Sequence, residues 1–394
     1  MTLTVNQTTT GAHKSRVLFV ITALGTGGAE MMLYKLLSRI DRNKYSPTVV
    51  SMLKGGVFVE RLEALDIPVF DLGMQPGVLN PVALPKLMKL LRQIQPDVIQ
   101  GWMYHANLIA QLANFFSGCN APLFWSIHHS VDSLRAEKLT LAATIKLTAW
   151  LSSPVETVVF SAVKGLKQHL NLGYNSRNAI AISDNFDISK YKPASNADFN
   201  LRSTLNLPGD SILIGSVARY HPMKDHANLI DAAAKLVVNY PNVHFVLVGP
   251  NVDNQNPALS EQIKRLDIAD QIHLLGERHD IPDIMTSLDI FTTSSAYGES
   301  FPNVLGEAMS CQTPCVATDI GDSKGIVADT GIVVPPRNPE ALAQAWRELI
   351  DLGQDKRHQM GIEARQHIEN NFNLDGANSF VKKYELLYQQ ALSN

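Results

Sequence analysis

Two glutamates eight positions apart, Glu299 and Glu307, frame the passage SSAYGESFPNVLGE at 294–307. An apolar, β-branched run at 290–293 precedes it and an apolar-periodic stretch follows. The passage therefore reads as strand, small polar loop, helix. Pro302 and Asn303 fall where the helix should begin, with Asn303 as the expected cap. A helix start presents free backbone N–H groups and the positive end of a dipole, which suits a pyrophosphate. Glu299 lies in the loop before it. Glu307 follows Asn303 by about one turn and points to the same side. Carboxylates accept hydrogen bonds from paired hydroxyls, so one can reach a sugar and the other a ribose.

Two cations, Arg219 and Lys224, follow the strand-like run 211–217. Placed at the end of a strand, they can neutralise a diphosphate as it gains charge on leaving. Asp225 is the expected cap of the next helix. A glycine loop, Thr26-Gly27-Gly28-Ala29-Glu30, joins the first apolar run to the first helix. Its spacing is not that of the dinucleotide fingerprint, because no later glycine completes it. His128, with His129 beside it, ends the run 123–127. His105 similarly follows 98–102, where an acceptor-side role and a purely structural one are equally open. The three cysteines, Cys119, Cys311 and Cys315, lack the spacing of a metal site and read as small core residues.

The elements that must position these groups alternate along the chain. Strand candidates fall at 16–22, 46–52, 69–71, 98–102, 123–127, 157–160 and 179–182, with helical stretches between most of them. The pattern restarts at 211–217 and continues through 243–248, 272–275, 290–293, 315–318 and 332–334. Such alternation predicts two α/β domains, each a doubly wound parallel sheet, facing one another across a cleft. The expected divisions are a flexible tail at 1–15, a first Rossmann-like domain at 16–187 and a linker at 188–208. A second domain at 209–372 and a final helix at 373–394, packing back on the first domain, complete the chain.

The framed pair Glu299 and Glu307, with Phe301-Pro302-Asn303, Gly306 and the continuation EAMSCQTPCVATDIGDSKGIV, resembles the signature of glycosyltransferase family 4. The likeness extends over about 16–390. It implies the two-domain GT-B fold and sugar transfer with retention of anomeric configuration. It also implies a donor site of Gly27, Gly28, Arg219, Lys224, Glu299, Phe301, Pro302, Asn303, Val304 and Glu307. Among these, Glu299 would hold sugar hydroxyls and Glu307 the ribose. His128 matches the histidine bordering the donor sugar, and His105 would line the acceptor side. Catalysis would fall to His128, Glu299, Arg219 and Lys224. One departure stands out. Where the family has Asn-Gly before an aspartate, this chain reads Asp184-Asn185-Phe186-Asp187. Asn185 takes the glycine place, where a left-handed backbone is expected.

Composition narrows the partners. Of 394 residues 45% are hydrophobic and 18% charged, enough for a sizeable core, and the net charge of -3 gives no basic surface for nucleic acid. Charge is uneven: 1–185 hold 17 Lys and Arg against 11 Asp and Glu, and 186–394 hold 17 against 26. A basic first half, with Lys86, Lys89 and Arg92 on one helix, suits an anionic lipid surface or a pyrophosphate-bearing acceptor as well as it suits an ordinary solvated face. No signal peptide and no membrane-spanning run is read, so the expected location is the cytoplasm, with contact at the inner membrane face as a further expectation. The expected partners are a nucleotide-sugar donor, UDP by family frequency, and a glycan or lipid-linked acceptor. No Asp-x-Asp motif is present, so no metal or other cofactor is expected. The rival readings are a nucleotide-sugar epimerase of the same fold and a non-catalytic sugar-nucleotide-binding protein.

Overall fold

The structure is a computed structural model and describes residues 14–75, 80–131, 133–193 and 200–393. Most of the expected tail lies outside the described residues, and Ser15 already belongs to the first strand.

The first domain alternates as predicted. Its strands are β1 (Ser15–Ile21), β2 (Tyr45–Leu53), β3 (Val69–Met74), β4 (Val98–Trp102), β5 (Leu123–Ile127), β6 (Thr157–Phe160) and β7 (Ala179–Ala181). Between them run α1 (Gly28–Leu37), α2 (Val57–Glu63), α3 (Ala83–Ile94), α4 (Tyr104–Ser117), α5 (Leu139–Trp150) and α6 (Val163–Asn171). The strands pair in the order β3-β2-β1-β4-β5-β6-β7, all parallel. β4 and β5 are buried along their whole length, as strands covered on both faces must be.

After α7 (Leu201–Thr204), within the stretch expected as a linker, the second series begins. It comprises β8 (Ile212–Val217), α8 (His226–Val237), β9 (Val243–Val248), α9 (Pro257–Arg265), β10 (Ile272–Leu274), α10 (Ile281–Ser287), β11 (Ile290–Thr293), α11 (Asn303–Ser310), β12 (Cys315–Thr318), α12 (Ser323–Val327) and β13 (Gly331–Val334). α13 (Pro339–Asp351), α14 (Gln354–Asn371) and α15 (Phe380–Ser393) follow. The sheet order is β10-β9-β8-β11-β12-β13, again parallel. Each sheet has its topological switch beside its first strand, between β1 and β4 and between β8 and β11. That is where open α/β sheets leave a crevice.

The final helix, α15, buries Phe380, Val381, Tyr384 and Tyr388 among residues of β1, β2, β4, α1 and α2. Its polar atoms are matched there. The Tyr388 hydroxyl donates to Gln100 Oε1 at 3.0 Å, the Tyr384 hydroxyl lies 2.6 Å from Ser126 Oγ, and the Tyr45 hydroxyl donates to the Glu385 carbonyl at 3.0 Å. Asn185 does not take the left-handed backbone expected of it. Its carbonyl accepts from Lys35 Nζ, and its side-chain oxygen accepts from the backbone N–H of Phe380. The side chain does the work that backbone freedom was expected to do.

Tyr388 is fully buried, and four aromatic neighbours, Phe19, Tyr45, Phe124 and Tyr384, meet it edge-on. Tyr388→Ala should lower unfolding free energy by about 3–5 kcal/mol, read as a shift of the denaturant midpoint.

Candidate active site

The carboxyl ends of both sheets open onto one cavity of about 830 Å³. The first domain lines it with the β1–α1 loop and the start of α2. Gly27 is the extended N-cap of α1, and the Glu30 carboxylate folds back over it so closely that any side chain at 27 would overlap it. A side chain there would have to displace that carboxylate. Burial raises the Glu30 carboxyl above its ordinary range.

The second domain supplies the charged wall. After β8 the chain runs through Ala218 and Arg219. Gly249, at the end of β9, has φ +150 and passes so close to the Ala218 carbonyl that no Cβ fits. The turn Pro222–Lys224 follows, started by His221, whose Nδ1 accepts from the Met223 N–H at 3.2 Å. Asp225, itself left-handed at φ 50, accepts from the Asn228 N–H and caps α8.

The loop after β11 is stitched to this turn. Ala296 N–H donates to the Met223 carbonyl at 2.8 Å, and Ser294 Oγ to the Lys224 carbonyl at 2.8 Å. Gly298, at φ +76, lies where a side chain would strike the Met223 sulfur. The loop thereby brings Glu299 onto Lys224 in a direct ion pair, with Ser295 Oγ donating to the same carboxylate at 2.9 Å. Arg219 lines the same cavity and is exposed.

Nine of the expected donor residues line this cavity: Gly27, Gly28, Arg219, Lys224, Glu299, Phe301, Pro302, Asn303 and Val304. Asn303 is the first residue of α11 and not its cap. Pro302 occupies the cap position, and no side chain caps the helix. The N–H groups at this helix start are consequently left without a side-chain cap, while Asn303 turns its amide inward to donate to the Asp184 carboxyl.

Three expected residues are not among those lining the cavity. Glu307 lies one turn along α11, where its carboxylate is hydrogen-bonded to Tyr191; burial raises it, against Lys35 and Lys190. His105 is exposed in the first turn of α4. His128 stands behind the wall, stacked on Trp102 with ring centroids 4.7 Å apart. Burial lowers its imidazole to about 3 and leaves both ring nitrogens without a partner. Its neighbour His129 turns instead toward Glu137 at 3.6 Å and the Tyr104 hydroxyl.

Several lining or supporting residues had no place in the sequence reading. Arg61 and Phe58 come from α2, with the guanidinium stacked 5.1 Å from the ring centroid. Arg278, paired with Asp280, lines the cavity from the loop after β10, within the stretch 276–280 that the sequence already marks as following a strand. The start of α2 also follows a strand at the carboxyl edge, so treating every βα junction alike would have found Phe58 and Arg61. Lys35 and Asp184 show no such signal, since their meeting depends on how α1 packs against the segment that leaves β7.

The domains also touch away from the cavity. Asp322 accepts from the backbone N–H groups of Val163 and Lys164 at 2.7 and 3.0 Å, capping α6 across the interface, and Ser161 and Ser300 hydroxyls meet at 3.1 Å. Two facing Rossmann-like sheets with a cation-lined crevice between them define a two-domain transferase fold of the GT-B class.

Comparison with known proteins agrees. The family model described as Glycosyltransferase Family 4 matches residues 26–163, and the model for glycosyl transferases group 1 matches 198–367. The chain is 31% identical over 293 residues to phosphatidyl-myo-inositol mannosyltransferase of Mycolicibacterium smegmatis, covering 73% of this chain and 69% of that protein. It is 33% identical over 207 residues to D-inositol 3-phosphate glycosyltransferase of Corynebacterium urealyticum, a match that spans half of this chain and 48% of that protein. The crystal structure of Anabaena Alr3699/HepE in complex with UDP superposes with a TM-score of 0.80 at 25% identity, covering 96% of this chain and 98% of that one. The chain belongs to glycosyltransferase family 4 and is a glycosyltransferase.

The buried Asp184 carboxyl makes a pH test of this architecture. Burial pushes it up to about 7, against the ordinary 3.8. A carboxyl raised on folding binds its proton more tightly in the native state. Its ionisation therefore destabilises the fold progressively as pH rises from about 4 to about 7, and evenly above. Asp184→Asn should be as stable as the parent at pH 4 and more stable by roughly 2–4 kcal/mol at pH 8, measured by chemical denaturation.

Proposed function

We propose that this glycosyltransferase moves a hexose from a UDP-sugar to a hydroxyl of a glycan or lipid-linked acceptor, with retention of configuration and without a divalent metal. The observation that carries the reading is the Glu299–Lys224 pair, set beside Arg219 and the uncapped start of α11 in one cavity. A diphosphate resting on the N–H groups at Pro302–Val304 meets a helix dipole and two cations, the charge that a metal would otherwise supply. Glu299 stands where it can exchange its serine contact for hydroxyls of the sugar. Glu307 reaches the ribose once the Tyr191 phenol releases it.

In the reaction the bond between the anomeric carbon and the diphosphate oxygen breaks, and the acceptor oxygen bonds to that carbon on the same face. The acceptor proton passes to the departing phosphate. Lys224 and Arg219 hold the charge that develops there, while Gly27 and Gly28 allow the backbone to close over the donor. Support for UDP comes from the complex of the Anabaena neighbour, and support for a lipid-linked acceptor from the phosphatidyl-myo-inositol mannosyltransferase relative. On this reading the acceptor binds the first domain, near His105.

The surface of that domain suits work at the inner face of a membrane. α3, α4 and α5 contain no Asp or Glu, and they expose Phe115, Phe116, Leu139 and Trp150 beside Lys86, Lys89, Arg92 and Lys146. Basic side chains around exposed aromatic and aliphatic ones are the composition of an interfacial face. The protein should sediment with vesicles containing anionic lipid at low salt and be released at high salt; a supernatant protein at low salt overturns the contact.

The reaction itself is tested by nucleotide release from a panel of UDP- and GDP-sugars, with and without acceptor and chelator. Release from one UDP-sugar, unchanged by chelator, is expected, and Lys224→Ala should lower turnover about 10²–10³-fold. Chelator-sensitive release would overturn the metal-free step, and a wild-type rate in the variant would overturn the site.

A further inference from the structure

Behind the cavity sits a cluster the transfer mechanism does not yet use. His128 lies flat on Trp102, its side chain 8% exposed, and neither ring nitrogen has a hydrogen-bond partner. A buried imidazole rarely leaves both nitrogens idle, so the site is built for groups that arrive or move into place. Asp184 Oδ1 is 4.0 Å from Nδ1. A shift of about 1 Å would make this a hydrogen bond.

Asp184 is enclosed on every other side. Lys35 of α1 faces it, the Asn303 amide of α11 donates to it, and Tyr384 of α15 lies near, its hydroxyl bonded to Ser126. Asn303 also lines the donor cavity and starts the helix proposed to hold the diphosphate. The carboxyl thus joins the donor helix of one domain to the histidine of the other.

We propose that Asp184 is a positioning residue whose protonation decides which ring nitrogen of His128 carries the proton, and hence whether that histidine accepts from or donates to a hydroxyl of the bound sugar. This rests on the reading of His128 as bordering the donor sugar, which it can do only once closure over the donor brings the ring, now behind the cavity wall, to the sugar. As a carboxylate, Asp184 accepts from Nδ1–H, and Nε2 offers a lone pair to the sugar O–H. As a carboxylic acid, its O–H donates to Nδ1, so the ring proton sits on Nε2 and points at the sugar oxygen. Asp184 gains one proton between the two states, and the neutral ring exchanges its proton from one nitrogen to the other. The ring is neutral throughout, because burial holds it near 3, whereas the same burial, opposed by Lys35 and Asn303, brings Asp184 to about 7. Lys35 also faces Glu307, so its charge is shared between two carboxyls.

A sugar hydroxyl that donates to Nε2 becomes more electron-rich as positive charge develops at the anomeric carbon, so the carboxylate state favours transfer. The test is ¹⁵N NMR of the histidine rings in the full chain without donor, at pH 5.5 and 8.5. His128 should carry its proton on Nε2 at the lower pH and on Nδ1 at the higher. Asp184→Asn should show one tautomer at both, and Asp184→Glu should restore the change. A single tautomer across this range in the unsubstituted protein overturns the proposal.

With the cognate donor, kcat should rise about tenfold between those pH values at nearly constant KM, and the rise should vanish in Asp184→Asn. A tautomer change without any rise in kcat would leave the Asp184–His128 coupling standing and overturn the placement of His128 at the sugar.

Discussion

The insertion of Tyr384 and Tyr388 beneath β1, β4 and β5 is the contact on which the rest of the molecule depends. These two rings carry the end of the chain out of the second domain and into the core of the first, so the domains are joined by two segments instead of one. The segments run side by side. Phe186 N–H donates to the Phe372 carbonyl at 2.8 Å, and Leu374 N–H returns a bond to Phe186 at 3.0 Å. Arg39 clasps both through Asp187 and Asp375, each at 2.9 Å. A doubled joint of this kind allows the domains to swing about one line and resists their sliding past each other. The Phe186 ring stacks on Phe301 and fills the space beside Gly306, so the joint bears directly on the loop and helix that form the cavity wall.

Much of this was legible in the sequence because it is local. A parallel strand covered on both faces is a short apolar run, and every strand predicted from such a run is present within two or three residues at its ends. The loops that carry Gly27, Arg219, Lys224 and Glu299 were legible for the same reason. They follow strands directly, and the carboxyl edge of a parallel sheet is where ligands bind. What could not be read was orientation across the interface. Glu307 was expected to face the cavity from its helical spacing with Asn303, yet Tyr191, from the connecting segment, holds its carboxylate. Asn185 was assigned a backbone role from its neighbours in sequence, whereas its side chain serves an amide 195 positions away. Spacing says which residues share a face and nothing about which partner the tertiary fold brings to that face.

Electrostatics divides the site into a wet part and a dry part. Arg219 and the Lys224–Glu299 pair stand at the cavity surface, where a charged ligand can displace their present contacts. Asp184, Glu307 and His128 lie deeper, where removal from water sets their protonation and Lys35 is the shared counter-charge. The division follows from chain geometry. The surface charges sit on βα loops of the second domain, while the deep ones sit at the seam, where strands of the first domain end against α11.

Asp322 gives the seam another property. Its two oxygens bind backbone N–H groups at 163 and 164, donors that every residue except proline carries. On the α6 side, therefore, the contact is blind to the identity of the side chain. Drift at 163 and 164 can proceed freely so long as neither becomes proline, whereas the carboxylate has no equivalent substitute of the same reach. Across descendants of this chain the history of the contact would be written at position 322 alone, and a comparison that looked for paired changes would overlook a joint that has been kept throughout.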